Sequence, residues 1–253
     1  WIKFESRSME AVKEEYSRHA EPRHTRLHLD HIPVIDEDGN RVDYEANISE
    51  ALGLGYDSVM VDGSRLPLEE NIDATARVVE AAHAAQRPVE AEIGAVVGHE
   101  SGPMPPYEEL FASKQGFTDL NEALEFVRRS GCDWLSVAIG NIHGAVAEGL
   151  RDKEKPAARL DLDHLSALAE ATQVPLVLHG GSGIPVEYIR EAVSRGISKV
   201  NIGTELRKAY VAGSQQGADP KAGREPVYQT ARALIRDRLA MSGSAELFDT
   251  GKA

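Results

Sequence analysis

The sequence predicts an α/β fold built on a parallel sheet. Three observations lead there. Short apolar runs alternate with amphipathic stretches along the chain. Strand starts recur at intervals of roughly 25 to 45 residues, the spacing of repeated βα units. Several strands are apolar on both faces, as in a sheet covered by helices.

Each element follows from its own residues. The opening stretch Trp1–Arg23 reads as a helix that leads into a first strand within the apolar run Thr25–Ile32. Asp43–Gly53 reads as a helix and Ser58–Asp62 (SVMVD) as a strand. Pro67–Gln86 is a longer helix, with Pro67 at its start and Glu69 and Glu70 near the positive end of its dipole. Pro88–Gly94 is a strand, and Asp119–Gly131 a helix with a glycine stop. Trp134–Asn141 is a strand, Asp161–Thr172 a helix, Pro175–His179 a strand, and Pro185–Arg195 a helix closed by Gly196. Lys199–Ile202 is the last strand, followed by helices near Glu205–Ser214 and Glu225–Met241. Ala95–Thr118 and Ile142–Arg159 read as long loops after strands.

Composition removes several classes of function. The chain has 253 residues, with 28 Lys and Arg against 41 Asp and Glu, a formal charge of −13. An acidic chain with no basic run is poorly suited to nucleic acid or an anionic membrane. No apolar run approaches the ~20 residues of a membrane span. The single cysteine, Cys132, has no internal disulfide partner, so stability must come from a core. We therefore expect a cytoplasmic protein forming one domain over residues 1–253, with no nucleic-acid or membrane partner.

Two architectures compete for this pattern: an open doubly wound sheet and a (β/α)8 TIM barrel. A glycine-rich fingerprint after the first strand marks the open sheet, whereas the glycines here follow a late strand. That favours the barrel. Six strands are counted where a barrel has eight, and Trp1 stands where an initiator methionine would. The expectation is a barrel whose first two βα units, roughly 50 residues, are missing from this chain.

Polar residues crowd the predicted strand ends, which converge on one mouth in a barrel. The first strand ends His28-Leu29-Asp30-His31, the third carries Glu90 and Glu92, and the fourth ends Asn141-Ile142-His143-Gly144. The fifth ends His179-Gly180-Gly181-Ser182-Gly183, and the sixth Asn201-Ile202-Gly203-Thr204. Three imidazoles, His31, His143 and His179, would leave an open position on a zinc-type ion. Each is equally readable as a packed or surface histidine, and the strand-end placement of all three tips the balance towards a metal. Asp30 is the nearest acid/base. Glu90 and Glu92 share one strand face and need a cation or donors if that face is interior. His28 reads as a packed or supporting residue. The loop Gly180–Gly183 before a helix suits an anion such as phosphate, with a plain positive-φ turn as the alternative. It also looks like an esterase oxyanion loop, but the chain lacks a G-x-S-x-G elbow. A Schiff-base mechanism is disfavoured, because Lys199 is expected at the N-terminal end of its strand.

These stretches, HLDH (28–31), SVMVDGSRLPLEENI (58–72), VEAEIG (89–94), AIGNIHG (138–144), LVLHGGSG (176–183) and KVNIGTEL (199–206), resemble the zinc-dependent class II fructose-bisphosphate and tagatose-bisphosphate aldolases. The resemblance implies a lyase of carbohydrate metabolism, with glycolysis as one setting. It would cleave a ketose (bis)phosphate reversibly to dihydroxyacetone phosphate and an aldehyde through a metal-stabilised enediolate. It implies Zn2+ on His31, His143 and His179, with Glu92 a ligand in some members. Asp30 matches the catalytic aspartate serving the C4 oxygen, and Glu100 the mobile-loop glutamate handling the carbon-bound proton. Gly144, Gly180, Gly181, Ser182, Asn201 and Thr204 match the substrate- and phosphate-binding positions, with Na+ or K+ nearby. A homodimer or homotetramer is implied as well.

The sequence departs from the family pattern at three places. The mobile loop reads Val97-Gly98-His99-Glu100-Ser101 rather than G-G-x-E-D, and Ile32–Asn40 inserts extra residues after HLDH. Gly203 replaces an aspartate common in fructose-bisphosphate enzymes, where tagatose-type members carry a small residue, which leans away from fructose bisphosphate. Two rival readings remain: another metal-dependent phosphosugar lyase or isomerase, and a non-catalytic phosphosugar-binding or assembly subunit.

Overall fold

The computed structural model describes residues 8–94, 106–141, 158–215, 217, 219–244 and 246. In chain order the elements are α1 (Met9–His19), β1 (His28–Pro33), α2 (Tyr44–Gly53), β2 (Ser58–Asp62), α3 (Leu68–Ala84), β3 (Val89–Ile93), α4 (Tyr107–Ser113), α5 (Leu120–Ser130) and β4 (Trp134–Val137). Then come α6 (Leu162–Thr172), β5 (Leu176–Leu178), α7 (Val186–Ser194), β6 (Ile197–Val200), α8 (Thr204–Gly213), α9 (Arg224–Ala233) and a π-helical turn, Leu234–Arg238. The six strands lie in one sheet in the order β1-β2-β3-β4-β5-β6. The pairs β1–β2, β2–β3 and β3–β4 are parallel. A strictly sequential order has no switch point, so the doubly wound alternative is excluded. No helix among the described residues is long and apolar enough to cross a membrane.

Two compact units divide the chain. The first comprises residues up to Ala95, Phe117–Ala138 and Ala167–Leu176, and the second comprises Val96–Gly116, Ile139–Ser166 and Val177 onward.

In the first unit, burial explains the strands. Val59, Met60 and Val61 of β2 and all five residues of β3 are buried, as both faces of a covered parallel strand must be. Asp133 fixes the start of β4 against β3, its carboxylate accepting from the Val89 N–H at 2.7 Å. Helix α5 is capped at both ends. Asp119 accepts from the Asn121 and Glu122 N–H groups, and Gly131 closes the helix at φ 72°. Arg129 of α5 makes a two-pronged contact with Glu69 of α3 at 2.8 and 2.7 Å. Both side chains are solvated, so the contact contributes little to stability. Burial pushes the Cys132 thiol up to about 12, which keeps it protonated and inert.

The second unit corrects the expected loop at Ala95–Thr118, which contains helix α4. Pro106 starts the helix, and Glu108 and Glu109 occupy its first turn. The Tyr107 hydroxyl lies 3.1 Å from the Gly140 carbonyl and 3.0 Å from that of Arg159, and it accepts from the Arg159 N–H. The Arg159 guanidinium sits 4.7 Å from the Phe111 ring centre. Seven residues are too few for a clear helical period, so these contacts, not local pattern, hold α4 in place.

The last strand is also corrected. It begins at Ile197, so Lys199 is its third residue and does not stand at the N-terminal end. Ser198 and Lys199 interrupt the apolar run and hide the strand's start. The expected helix Glu225–Met241 divides into α9 and the π-helical turn.

Thr118 joins the ends of two strands in the first unit. Its hydroxyl donates to the Ile93 carbonyl at 2.8 Å and accepts from the Ala138 N–H at 2.9 Å. The side chain is fully buried. Thr118→Val keeps the shape and strands both groups, and is expected to cost about 1–3 kcal/mol in urea unfolding.

Candidate active site

The site begins with an irregularity in β1. Strict alternation places His28 and Asp30 on one face and Leu29 and His31 on the other. Between Leu29 and Ile32 the register against β2 shifts, because three steps on β1 match two from Val59 to Val61. His31 takes up the difference at φ 50°, in the left-handed region a non-glycine residue rarely enters. Its N–H donates to the Met60 sulfur at 3.3 Å. The bulge turns the imidazole away from the face of Leu29.

His31 Nδ1 then lies 3.5 Å from Asp62 Oδ2 and 4.0 Å from Glu92 Oε2. Burial disfavours charge on the imidazole. The Asp62 hydrogen bond and the fields of Glu92 and Asp30 outweigh it and push His31 up to about 10. Burial pushes the Glu92 carboxyl up to about 8, with Asp62 adding to the effect. Burial also works against charge on Asp62, but His31 and Ser64 hold it well below the usual carboxylate range. Ser64 donates to Asp62 Oδ1 from its backbone at 3.0 Å and its hydroxyl at 2.6 Å.

Asp62 is absent from the residues singled out by sequence reasoning, although its signal was present. It lies two residues beyond Met60, which pairs with Glu90, so alternation puts it on the face of Glu90 and Glu92. Asn71 supports the same strand end. Its side chain donates to the Glu92 carbonyl at 3.0 Å, and a Cβ at Gly63 would meet its oxygen at 2.1 Å.

A second group gathers beside the first. His28, Asp30 and Glu90 each offer one ligand-type atom, all within 4.8 Å of one another. Glu90 is fully buried and Asp30 is exposed.

The glycine loop belongs to the second unit. His179 follows β5 directly and is fully buried, its carbonyl accepting from Asn141 Nδ2 at 3.1 Å. Gly180 and Gly183 have φ 69° and 87°. The Gly181 N–H donates to the Asn201 carbonyl at 3.0 Å, joining this loop to the one after β6. Ser182 is buried in the loop ahead of α7, and Thr204 is the first residue of α8. Both loops thus lead into helix N-termini, the arrangement that favours an anion. Glu100, His143 and Gly144 lie outside the described residues.

The fold and these strand-end groups define a class of protein. A family model for class II fructose-bisphosphate aldolase matches residues 3–246, and the chain belongs to that family. It is an aldolase, a lyase of carbohydrate metabolism that handles sugar phosphates. Among solved structures it is similar to the YdjI aldolase of Escherichia coli K12, at 30% identity and a TM-score of 0.68, covering 96% of this chain and 80% of that one. A protein of Coccidioides immitis, provisionally assigned as a fructose-1,6-biphosphate aldolase, matches at 30% identity and a TM-score of 0.64, over 87% of this chain and 73% of that one. The fructose-bisphosphate aldolase of Campylobacter jejuni shares the fold at 20% identity and a TM-score of 0.60, over 84% and 70% of the two chains.

Space around the glycines yields a paired test. A Cβ at Gly181 would meet Val200 Cγ1 at 2.6 Å and the Asn201 carbonyl at 3.0 Å, whereas one at Gly203 meets nothing within 4 Å. Gly181→Ala is expected to lose about 1–3 kcal/mol through overpacking. Gly203→Ala should stay within about 0.5 kcal/mol of the parent. Urea denaturation of both variants measures the difference.

Proposed function

We propose that this chain is a zinc-dependent aldolase that reversibly cleaves a ketose phosphate to dihydroxyacetone phosphate and an aldehyde. The observation that carries the reading is His31, turned by the bulge onto Glu92 and Asp62 with Asp30 beside it. One imidazole nitrogen and two carboxylates form a mixed N/O donor set, which fits a divalent ion. His31, His143 and His179 would hold it, with Glu92 as a further ligand. When bound, such an ion supplies Lewis acidity towards the ketone carbonyl of the substrate.

The remaining steps fall to the protein. Asp30 takes the proton from the C4 hydroxyl as the C3–C4 bond breaks. The oxygen electrons form the aldehyde carbonyl, and the bonding pair stays with the ketone half. Glu100, by its place in the sequence, serves the proton that C3 gains. Condensation runs the same transfers backwards, with Asp30 returning its proton. Gly144, Gly180, Gly181, Ser182, Asn201 and Thr204 hold the phosphate, helped by the two helix N-termini. The glycine geometry supports this part, because backbone N–H groups can approach an anion closely there.

Gly203 favours a substrate other than fructose bisphosphate. A monovalent cation, Na+ or K+, would sit near the phosphate. The reading also places residues 1–253 in one (β/α)-barrel domain of a cytoplasmic homodimer or homotetramer.

Metal analysis combined with a panel of ketose phosphates tests the proposal. We expect stoichiometric zinc and release of dihydroxyacetone phosphate from at least one of them. Isomerised product, or sugar-phosphate binding without any turnover, removes the aldolase reading.

Three variants test the roles. His179→Ala should lose metal and turnover together, as read by elemental analysis and a coupled assay. Asp30→Ala should keep its zinc and lose about a hundredfold or more in kcat. Ser182→Glu should weaken binding of dihydroxyacetone phosphate in calorimetry, because it adds negative charge to the phosphate cradle.

A further inference from the structure

We propose that His28 is the positioning residue for Asp30, an inference that rests on the aldolase reading. Its Nε2 lies 3.4 Å from Asp30 Oδ1 and 3.3 Å from Glu90 Oε2, while Nδ1 lies 2.8 Å from the Ser58 hydroxyl. Four adjacent strands meet at this ring. His28 comes from β1, Ser58 from its register partner on β2, Glu90 from β3, and Trp134 from the β4 position paired with Glu90. The Trp134 ring stands 6.0 Å from the imidazole, tilted by 48°.

The exposures run in one direction. The side chains of Glu90, His28 and Asp30 are 0%, 15% and 43% exposed. Glu90 is therefore a fixed interior anchor, the imidazole a nearly buried relay, and Asp30 the member that reaches the solvent side. An exposed carboxylate next to a bulge has several rotamers open to it. Proton transfer needs one of them, held to within roughly half an ångström. Both ring nitrogens of His28 face fixed groups, so the imidazole cannot rotate without losing Ser58 and Glu90. Holding Oδ1 through that ring sets the direction in which Asp30 presents Oδ2. The same contacts would also serve a plainer purpose, in which His28 does no more than partner the buried Glu90 charge.

Two reactions separate these roles. One is cleavage of a ketose phosphate that the parent accepts. The other is exchange of the C3 protons of dihydroxyacetone phosphate with solvent deuterium, followed by proton NMR. Exchange involves no C4 oxygen and makes no demand on Asp30. His28→Leu is expected to lose at least about tenfold in cleavage kcat, a part of the roughly hundredfold or more that general acid–base catalysis supplies, while exchange stays within about twofold. His28→Gln, which keeps an N–H donor near the Nε2 position, should recover most of the cleavage. In an Asp30→Asn background His28→Leu should add nothing. Should the single variant not fold, His28→Leu combined with Glu90→Gln removes the buried charge with its partner and must show the same split. Equal loss in both reactions, an additive loss on top of Asp30→Asn, or parental cleavage by His28→Leu overturns the inference. A parent protein that performs neither reaction overturns the aldolase reading and this inference with it.

Discussion

Two carboxylates buried on one face of β3 impose the constraint on which the first unit depends. Glu90 and Glu92 point away from the apolar face of Val89 and Ala91, and both are cut off from water. A bare carboxylate there would cost several kcal/mol, so other groups must gather around it. Strand β1 brings an imidazole near each, His28 Nε2 3.3 Å from Glu90 and His31 Nδ1 4.0 Å from Glu92. A regular strand could not do so, because the two histidines are three positions apart and strict alternation would put them on opposite faces. The bulge resolves this conflict. The left-handed conformation of His31 is a local strain held by the surrounding sheet, and it places the imidazole near Asp62 and Glu92.

The second unit meets a different demand, that of bringing two loops close together. Gly181 has no room for a Cβ because Val200 and the Asn201 carbonyl press against it. That close approach lets the loops after β5 and β6 share a hydrogen bond. Buried Ser182 and the two helix starts then concentrate N–H and O–H groups in a short stretch of chain.

Each of these two regions is built by its own physics. In the first, ionisable groups are brought together in a buried place. In the second, backbone groups are brought together by missing side chains. The helix α4 adds a third device, a Tyr hydroxyl shared by two carbonyls.

The sequence by itself determined the type and order of most elements, because hydrophobic period and caps are local properties. Asp119 and Gly131 bracket their helix as they would in isolation, and SVMVD is a strand with the expected ends. It also singled out HLDH, the paired glutamates and the glycine loop as candidate site residues. Three things required tertiary structure. Helix α4 is too short to show a period and is held by Tyr107 and Phe111 contacts distant in sequence. The start of β6 lies under a polar pair that only sheet pairing could override. The division of one HLDH motif between two buried glutamates depends on a register shift against β2, and register is a property of two strands together. No pattern within β1 alone encodes it, so the strand's own residues name the donors while its neighbour decides which way they face.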